Sequence, residues 1–311
     1  ISSPAPSSLP RSPRRDFPGA ALETLVRWSK FVDEEQLDEW ETRLIMEEVA
    51  YSVEKPIHRK RWQISSYVLT RAEAEELQSR FGGGVNELKP TDWQPSEEEG
   101  EPTLLKIRDS LVVTLSENES TWQDLKDQFS DRTVLSFPPQ LAFGTGGHPT
   151  TAGCLRFLAD IAKEREGTEW SLLDLGCGSG ILAVAAARLG ASRIVAVEID
   201  DLAMGYAERN AERHGVSDRI KFLEEDAIPL IEEGRLAGFD VIAANLFSTL
   251  LVQILPSLSE ALDADGDIVL SGFLTSQARE VVGAAADAGL PLQDFLRRGK
   301  WVAGRGCPAK D

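Results

Sequence analysis

The sequence predicts an α/β protein. A doubly wound, seven-stranded, mostly parallel sheet occupies the second half of the chain, and a smaller α+β unit of ferredoxin-like type precedes it. Three observations carry this expectation. From residue 171 onwards seven short apolar segments, SLLDL, IVAVE, IKFLE, DVIAAN, DIVLSG, LQDFL and WVAGR, are interleaved with helical patterns, and βα alternation gives a parallel sheet covered by helices on both faces. A glycine-rich turn, DLGCGSG at Asp174 to Gly180, follows the first segment directly, in the region where such sheets bind ligands. Before about residue 134 the pattern changes to strand, helix, strand or hairpin, helix, strand, the order of a small α+β sandwich.

The 311 residues suffice for two domains, each with its own core. With 42% hydrophobic and 27% charged residues the composition is that of a soluble globular protein. Acidic side chains number 51 against 33 basic ones, a net charge of −18, which argues against a broad nucleic-acid-binding face. Solubility, a salty medium or long-range steering of a basic partner would each account for that charge. Cys154, Cys177 and Cys307 form no CxxC pair, so neither a disulfide framework nor a metal site is expected, and a reducing, cytoplasmic setting fits. The longest apolar run, Ile181 to Ala187, falls well short of the roughly 18 residues of a membrane span.

In chain order, residues 1–20 open with ISSPAPSSLPRSPRR and read as a disordered tail. Its composition approaches that of a transit peptide, but prolines interrupt any amphipathic helix. The chain begins with Ile rather than Met, which leaves the completeness of this end open. Residues 21–94 form the α+β unit. LETLVRWSKFV is strand-like, DEEQLDEWETRLIMEEV is helical, and RWQISSYVLT is followed by a helix from Arg71 to Arg80, with FGGGVNELKP closing the unit. Thr70 and Glu73 form a capping box for that helix, and Trp28, Trp40, Trp62 and Trp93 are expected in the core. Residues 95–133 read as a linker region: the acidic loop PSEEEGEP, a strand pair in LLKIRDSLVVTL and a helix from Trp122 to Phe129. Residues 134–311 start with VLSF and the loop AFGTGGHPTT at Ala142 to Thr151, then run through the seven segments. Four helices are expected among them, at Ile181 to Leu189, Leu202 to His214, Thr249 to Leu262 and Ser276 to Ala288. The loop is no phosphate cradle of the P-loop kind, because His148 rather than Lys follows Gly147.

The chemistry should gather at the carboxyl ends of the strands. Gly176, Gly178 and Gly180 allow a tight turn and a close ligand approach, and a dinucleotide fingerprint is excluded because its third glycine would fall on Ile181. Glu198 ends the second strand, 22 positions after Gly176, where a carboxylate can accept hydrogen bonds from both hydroxyls of a ribose. Asp200 reads as surface charge or a helix cap. Asp226, after the third strand, stands where an adenine amino group would lie or is an ordinary polar residue. Asn245 ends the fourth strand in DVIAANLF; its neutral amide can hold an amine, and the nearby aromatic Phe247 suits a cation. Cys177 reads as a small packing residue. His148 is either a base or a hydrogen-bonding brace of its loop, while Thr145 and Thr151 can supply hydroxyls to a zwitterionic ligand.

The spacing GxGxG after Asp174 resembles motif I of class I S-adenosylmethionine-dependent methyltransferases. Between Val134 and Arg305 the stretches AFGTGGHPTT, LLDLGCGSGILAVAAARLGA, VAVEID, NAERHGVSDR, VIAANLF and LSGFLTSQ are similar to the bacterial methyltransferases of ribosomal protein L-eleven, the PrmA family. That resemblance implies S-adenosylmethionine as cofactor and trimethylation of an α-amine and lysine side chains on a large-subunit ribosomal protein. It also implies cofactor contacts at Thr151, Gly176, Glu198 and Asn245, and a substrate-recognition role for the N-terminal unit. A monomeric, cytoplasmic enzyme without direct nucleic-acid or membrane binding is expected. Two departures stand out: Gly147 replaces the family's middle Thr, and NLFSTL replaces NILAGP after the fourth strand. The second changes the wall of the amine site. A protein-lysine or small-amine methyltransferase with another target, or a non-catalytic S-adenosylmethionine-binding module, are the alternatives.

Overall fold

The computed structural model describes residues 25–47, 49, 51–54, 61–68, 70–88, 104–138 and 148–309. The expected tail at 1–20, Trp93, the acidic loop at 95–102 and the glycine-rich part of the later loop, with Thr145 and Gly147, lie outside these residues. Those that are described fall into two compact units, one within 1–100 and one within 101–311.

The first unit runs β1 (Leu25–Val32), α1 (Glu34–Met46), β2 (Ser52–Glu54), β3 (Trp62–Val68), α2 (Arg71–Phe81) and β4 (Gly84–Leu88). Its sheet has the order β2-β3-β1-β4 with antiparallel neighbours, which makes it a ferredoxin-like βαββαβ unit. Central β1 contributes the fully buried Trp28 to a core with Leu44, Ile64, Leu77 and Phe81. The Trp28 indole donates to the Gly82 carbonyl at 2.7 Å, so a large apolar ring is buried without stranding its N–H. Trp40 and Trp62 pack against this core and are partly buried. The capping box forms as the sequence predicts. Thr70 Oγ1 accepts from the Glu73 amide at 3.3 Å, and Glu73 Oε2 accepts from the Thr70 amide at 3.0 Å.

The second unit begins with β5 (Leu104–Ile107), β6 (Leu111–Thr114), α3 (Glu119–Gln128) and β7 (Thr133–Ser136). These strands form a three-stranded sheet in the order β5-β6-β7. The stretch read as a linker therefore contributes its described part to this unit, and its apolar Ile107, Leu111 and Val113 join the large core. Next come α4 (Pro149–Glu164), β8 (Ser171–Leu175), α5 (Ile181–Arg188), β9 (Arg193–Glu198), α6 (Asp201–Arg213), β10 (Ile220–Glu224), α7 (Ala227–Glu232) and β11 (Phe239–Asn245). The unit ends with α8 (Ser248–Ala261), β12 (Leu262–Leu274), α9 (Ala278–Asp287), β13 (Leu292–Arg298) and β14 (Trp301–Gly306).

These strands make a seven-stranded sheet, β10-β9-β8-β11-β12-β14-β13. The first five run parallel, and β14 is antiparallel to both of its neighbours. Strand order reverses between β8 and β11, so the crevice outside their carboxyl ends is the topological switch point. Two helices differ from the sequence reading. α4 starts inside the stretch read as a loop, with Pro149 at its first position, where a missing N–H costs nothing. It was hidden because Thr150 to Leu155 is buried without a break, which erases the one-sided apolar period of a surface helix. α7 has six residues, too few to show a period.

Candidate active site

β8 ends at Leu175 and the chain turns at once. The amides of Gly176 and Cys177 both donate to the Val197 carbonyl, at 2.9 and 3.0 Å, which fastens the turn to neighbouring β9. Gly176 and Gly180 have φ of 65° and 76°, the left-handed region that disfavours side chains. A Cβ on Gly176 would lie 2.4 Å from Leu246, and one on Gly180 would lie 2.9 Å from the Ala207 Cβ. The turn is thus wedged between the segment after β11 and helix α6. Asp174, buried beneath it, accepts from the Ala183 amide at 3.0 Å. Burial pushes its carboxyl up to about 7, opposed by that hydrogen bond and assisted by the Glu198 charge. Cys177 is buried, and burial pushes its thiol up as well, so it packs rather than attacks.

At the tip of β9, Glu198 takes the Gly178 amide on Oε2 at 2.9 Å, and the Ile199 and Asp200 amides on Oε1 at 2.9 and 3.1 Å. The strand end and the glycine turn thereby share one carboxylate, which has about four acceptor positions in all. Asp200 caps α6 through the Leu202 and Ala203 amides. Asp226 is exposed and caps α7 by accepting from the Ile228 amide at 3.0 Å. Ile199, which the sequence reading passed over, is 71% exposed at the same strand tip. An isoleucine set between two acids at a carboxyl end was the available signal of an apolar wall.

Asn245 stands at the end of β11, beside Ser271 of β12. Its Nδ2 donates to Thr151 Oγ1 at 3.3 Å, and Thr151 is fully buried in the first turn of α4. The other end of the amide differs: Asn245 Oδ1 is buried and accepts no hydrogen bond from any described group. A buried acceptor left unpaired costs about 1–3 kcal/mol, so this oxygen is suited to a donor brought by a ligand. His148 caps α4. Its Nδ1 accepts from the Thr150 amide at 3.4 Å and lies 2.7 Å from Thr150 Oγ1, while its ring meets Trp301 edge-on at 4.8 Å. Burial pushes it down to about 4, so it is neutral at neutral pH. Two residues past Asn245, Phe247 is 51% exposed and caps α8 without a side-chain hydrogen bond.

The site therefore offers a tight, firmly held glycine turn, a carboxylate for hydroxyl groups, an apolar wall and an unpaired amide oxygen. These fit a nucleoside bearing an amino-acid tail. Among the described residues no group of three or more His, Cys, Asp or Glu could hold a metal ion, and no helix is long and apolar enough to cross a membrane.

Comparison with known proteins agrees with this geometry. The family model described as Ribosomal protein L11 methyltransferase (PrmA) matches residues 24–306, so the likeness takes in the N-terminal unit as well. A protein of that name from Pelobacter propionicus is 37% identical over 223 residues, covering 70% of this chain and 67% of the relative. Another, from Chloroflexus aurantiacus, is 31% identical over 290 residues, covering 82% of this chain and 84% of the relative. A solved structure of a ribosomal protein L11 methylase from Lactobacillus delbrueckii subsp. bulgaricus matches with a TM-score of 0.54 at 27% identity, covering 67% of this chain and 99% of that one. From the glycine turn to the N-terminal βαββαβ unit, the chain belongs to the PrmA family of ribosomal protein L11 methyltransferases.

Proposed function

We propose that this methyltransferase transfers methyl groups from S-adenosylmethionine to amino groups of ribosomal protein L11, the α-amine and lysine ε-amines. The observation that carries the amine assignment is the buried, unpaired Asn245 Oδ1 at the switch point. Methyl transfer and its donor come with the family. When bound, S-adenosylmethionine supplies a methyl group that is already electrophilic on its sulfonium. The Gly176–Gly180 turn would hold the donor's backbone-like tail, with Thr151 near its carboxylate, while Glu198 takes the ribose hydroxyls. Ile199 and Asp226 would border the adenine.

The protein's own work is then to present a neutral amine in line. A lysine has a reference pKa of about 10.4, and a site that excludes water depresses it. Asn245 Oδ1 accepts one N–H of the amine, which orients the nitrogen lone pair, and alignment of this kind is worth orders of magnitude in rate. An acidic chain of net charge −18 attracts a lysine-rich substrate at long range. His148 caps α4 and is not the base; the proton leaves to bulk water. A monomer acting in the cytoplasm, where ribosomal proteins are made, completes this reading. Phe247, exposed in the NLFSTL segment, favours as second reading a lysine-bearing protein other than L11.

Incubation with isotopically labelled S-adenosylmethionine and purified large-subunit ribosomal proteins, followed by mass mapping, tests the proposal. Label on amines of L11 is expected. Donor binding without label in that fraction would leave the fold standing and reject the substrate.

A further inference from the structure

Between the glycine turn and the end of β7 lies a chain of buried polar groups that no step above has used. Asn210 sits in the last turn of α6 at 2% exposure. Its Nδ2 donates to the Ser179 carbonyl inside the turn at 2.8 Å. The carbonyl of Asn210 itself lies 2.7 Å from His214 Nδ1, one helical turn on. His214 Nε2 accepts from the Ser136 amide at the end of β7, at 3.1 Å. A backbone amide can only donate, so Nε2 carries no proton and the ring hydrogen is on Nδ1, pointing at the Asn210 carbonyl. The imidazole is stacked on Phe137 at 5.0 Å and meets Trp122 edge-on at 5.1 Å. Burial keeps it neutral by pushing its pKa down to about 4.

The sequence of bonds is therefore Ser136 N–H to His214, His214 N–H to the Asn210 carbonyl, and the Asn210 amide to Ser179. It runs from the end of the three-stranded sheet to the middle of the donor turn. One helix face supplies it, since Ala207 of the same α6 touches the turn where a Gly180 Cβ would be. Polar groups this deep are kept when fully paired, and then they fix one arrangement. The turn's three left-handed glycines, Gly176, Gly178 and Gly180, would otherwise have the greatest conformational freedom in the site.

We infer that Asn210 and His214 are positioning residues for the methyl donor, holding the glycine turn in its binding shape without touching the ligand. The inference rests on the donor occupying that turn, as in the proposed function. Preorganisation lowers the ordering cost of binding, so loosening the turn should weaken affinity while leaving each folded molecule able to bind one ligand.

Titration calorimetry of the full chain with S-adenosylhomocysteine, the demethylated donor, separates the outcomes. Asn210→Asp keeps the shape but replaces the donating amide with a carboxylate. It is expected to raise Kd about tenfold with stoichiometry near one, and His214→Gln is expected to raise it severalfold. A general loss of fold would instead lower the stoichiometry and leave Kd unchanged; that result, or wild-type affinity in both variants, overturns the inference. Should neither variant fold, hydrogen exchange on the wild type decides. Ligand binding should slow exchange at the Ser136 amide and along α6 as well as in the turn, and protection confined to the turn contradicts the inference. Absence of ligand binding by the wild-type chain would reject the donor assignment itself, a separate failure.

Discussion

Asn245 and Thr151 are 94 positions apart in sequence and are joined by one hydrogen bond of 3.3 Å. The sequence pointed to both, because residues after parallel strands are the ones a switch point exposes and because the family resemblance implied Thr151. Their mutual contact was not legible, since it depends on α4 starting at Pro149 rather than on a loop. Glu198 was readable for the same positional reason, but its three backbone partners were not. Asn210 lay beyond reach of the sequence, because a polar residue inside an amphipathic helix looks like any solvated one until the face it presents is known. His148 yields a prediction at this scale. A ring pushed down to about 4 is already deprotonated across neutral pH, so the transfer rate between pH 6.5 and 8.5 should carry no inflection from it. His148→Ala should retain near-normal turnover, and thermal unfolding should show a loss of about 1 kcal/mol from the missing cap.

At the scale of elements, the glycine turn is held by β9 through Val197 and Glu198, by α6 through Ala207 and Asn210, and by Leu246 after β11. Gly180→Ala would require a left-handed alanine and displace Ala207, against a spacing of only 2.9 Å. Calorimetry should find donor affinity reduced at least tenfold. The helices that the sequence placed correctly, α2 and α6 among them, have a polar face and a cap written in residues. α4 and α7 lack one or both signals, the first by being buried almost throughout and the second by its length. The capping box of α2 offers a contrast within the first unit. Thr70→Ala should lower stability by about 1 kcal/mol in chemical denaturation and leave donor affinity at the wild-type value.

For the whole molecule, three buried groups among the described residues shape stability against pH. His148 and His214 are held near 4 in the fold against about 6.5 when unfolded. Their contribution is full above 6.5 and is lost as pH falls towards 4. Asp174 is held near 7 against about 3.9 unfolded, so its contribution is lost as pH rises from 3.9 to 7. Between pH 5 and 6 the unfolded chain thus binds two extra protons at the histidines, and the folded chain binds one at Asp174. Unfolding free energy should rise with pH by about 1.4 kcal/mol per unit. His214→Gln should flatten that slope, and an unchanged slope would show that His214 is not buried as a neutral ring.

One paired assay of the wild type and Asn245→Ala tests whether Asn245 receives the amine. Donor affinity by calorimetry and single-turnover methyl transfer to L11 are measured on the same preparations. Donor affinity should change less than tenfold while transfer becomes about 100-fold slower, the scale of loss when a reacting group is misplaced. Transfer at the wild-type rate with donor binding intact would show that Asn245 does not hold the amine.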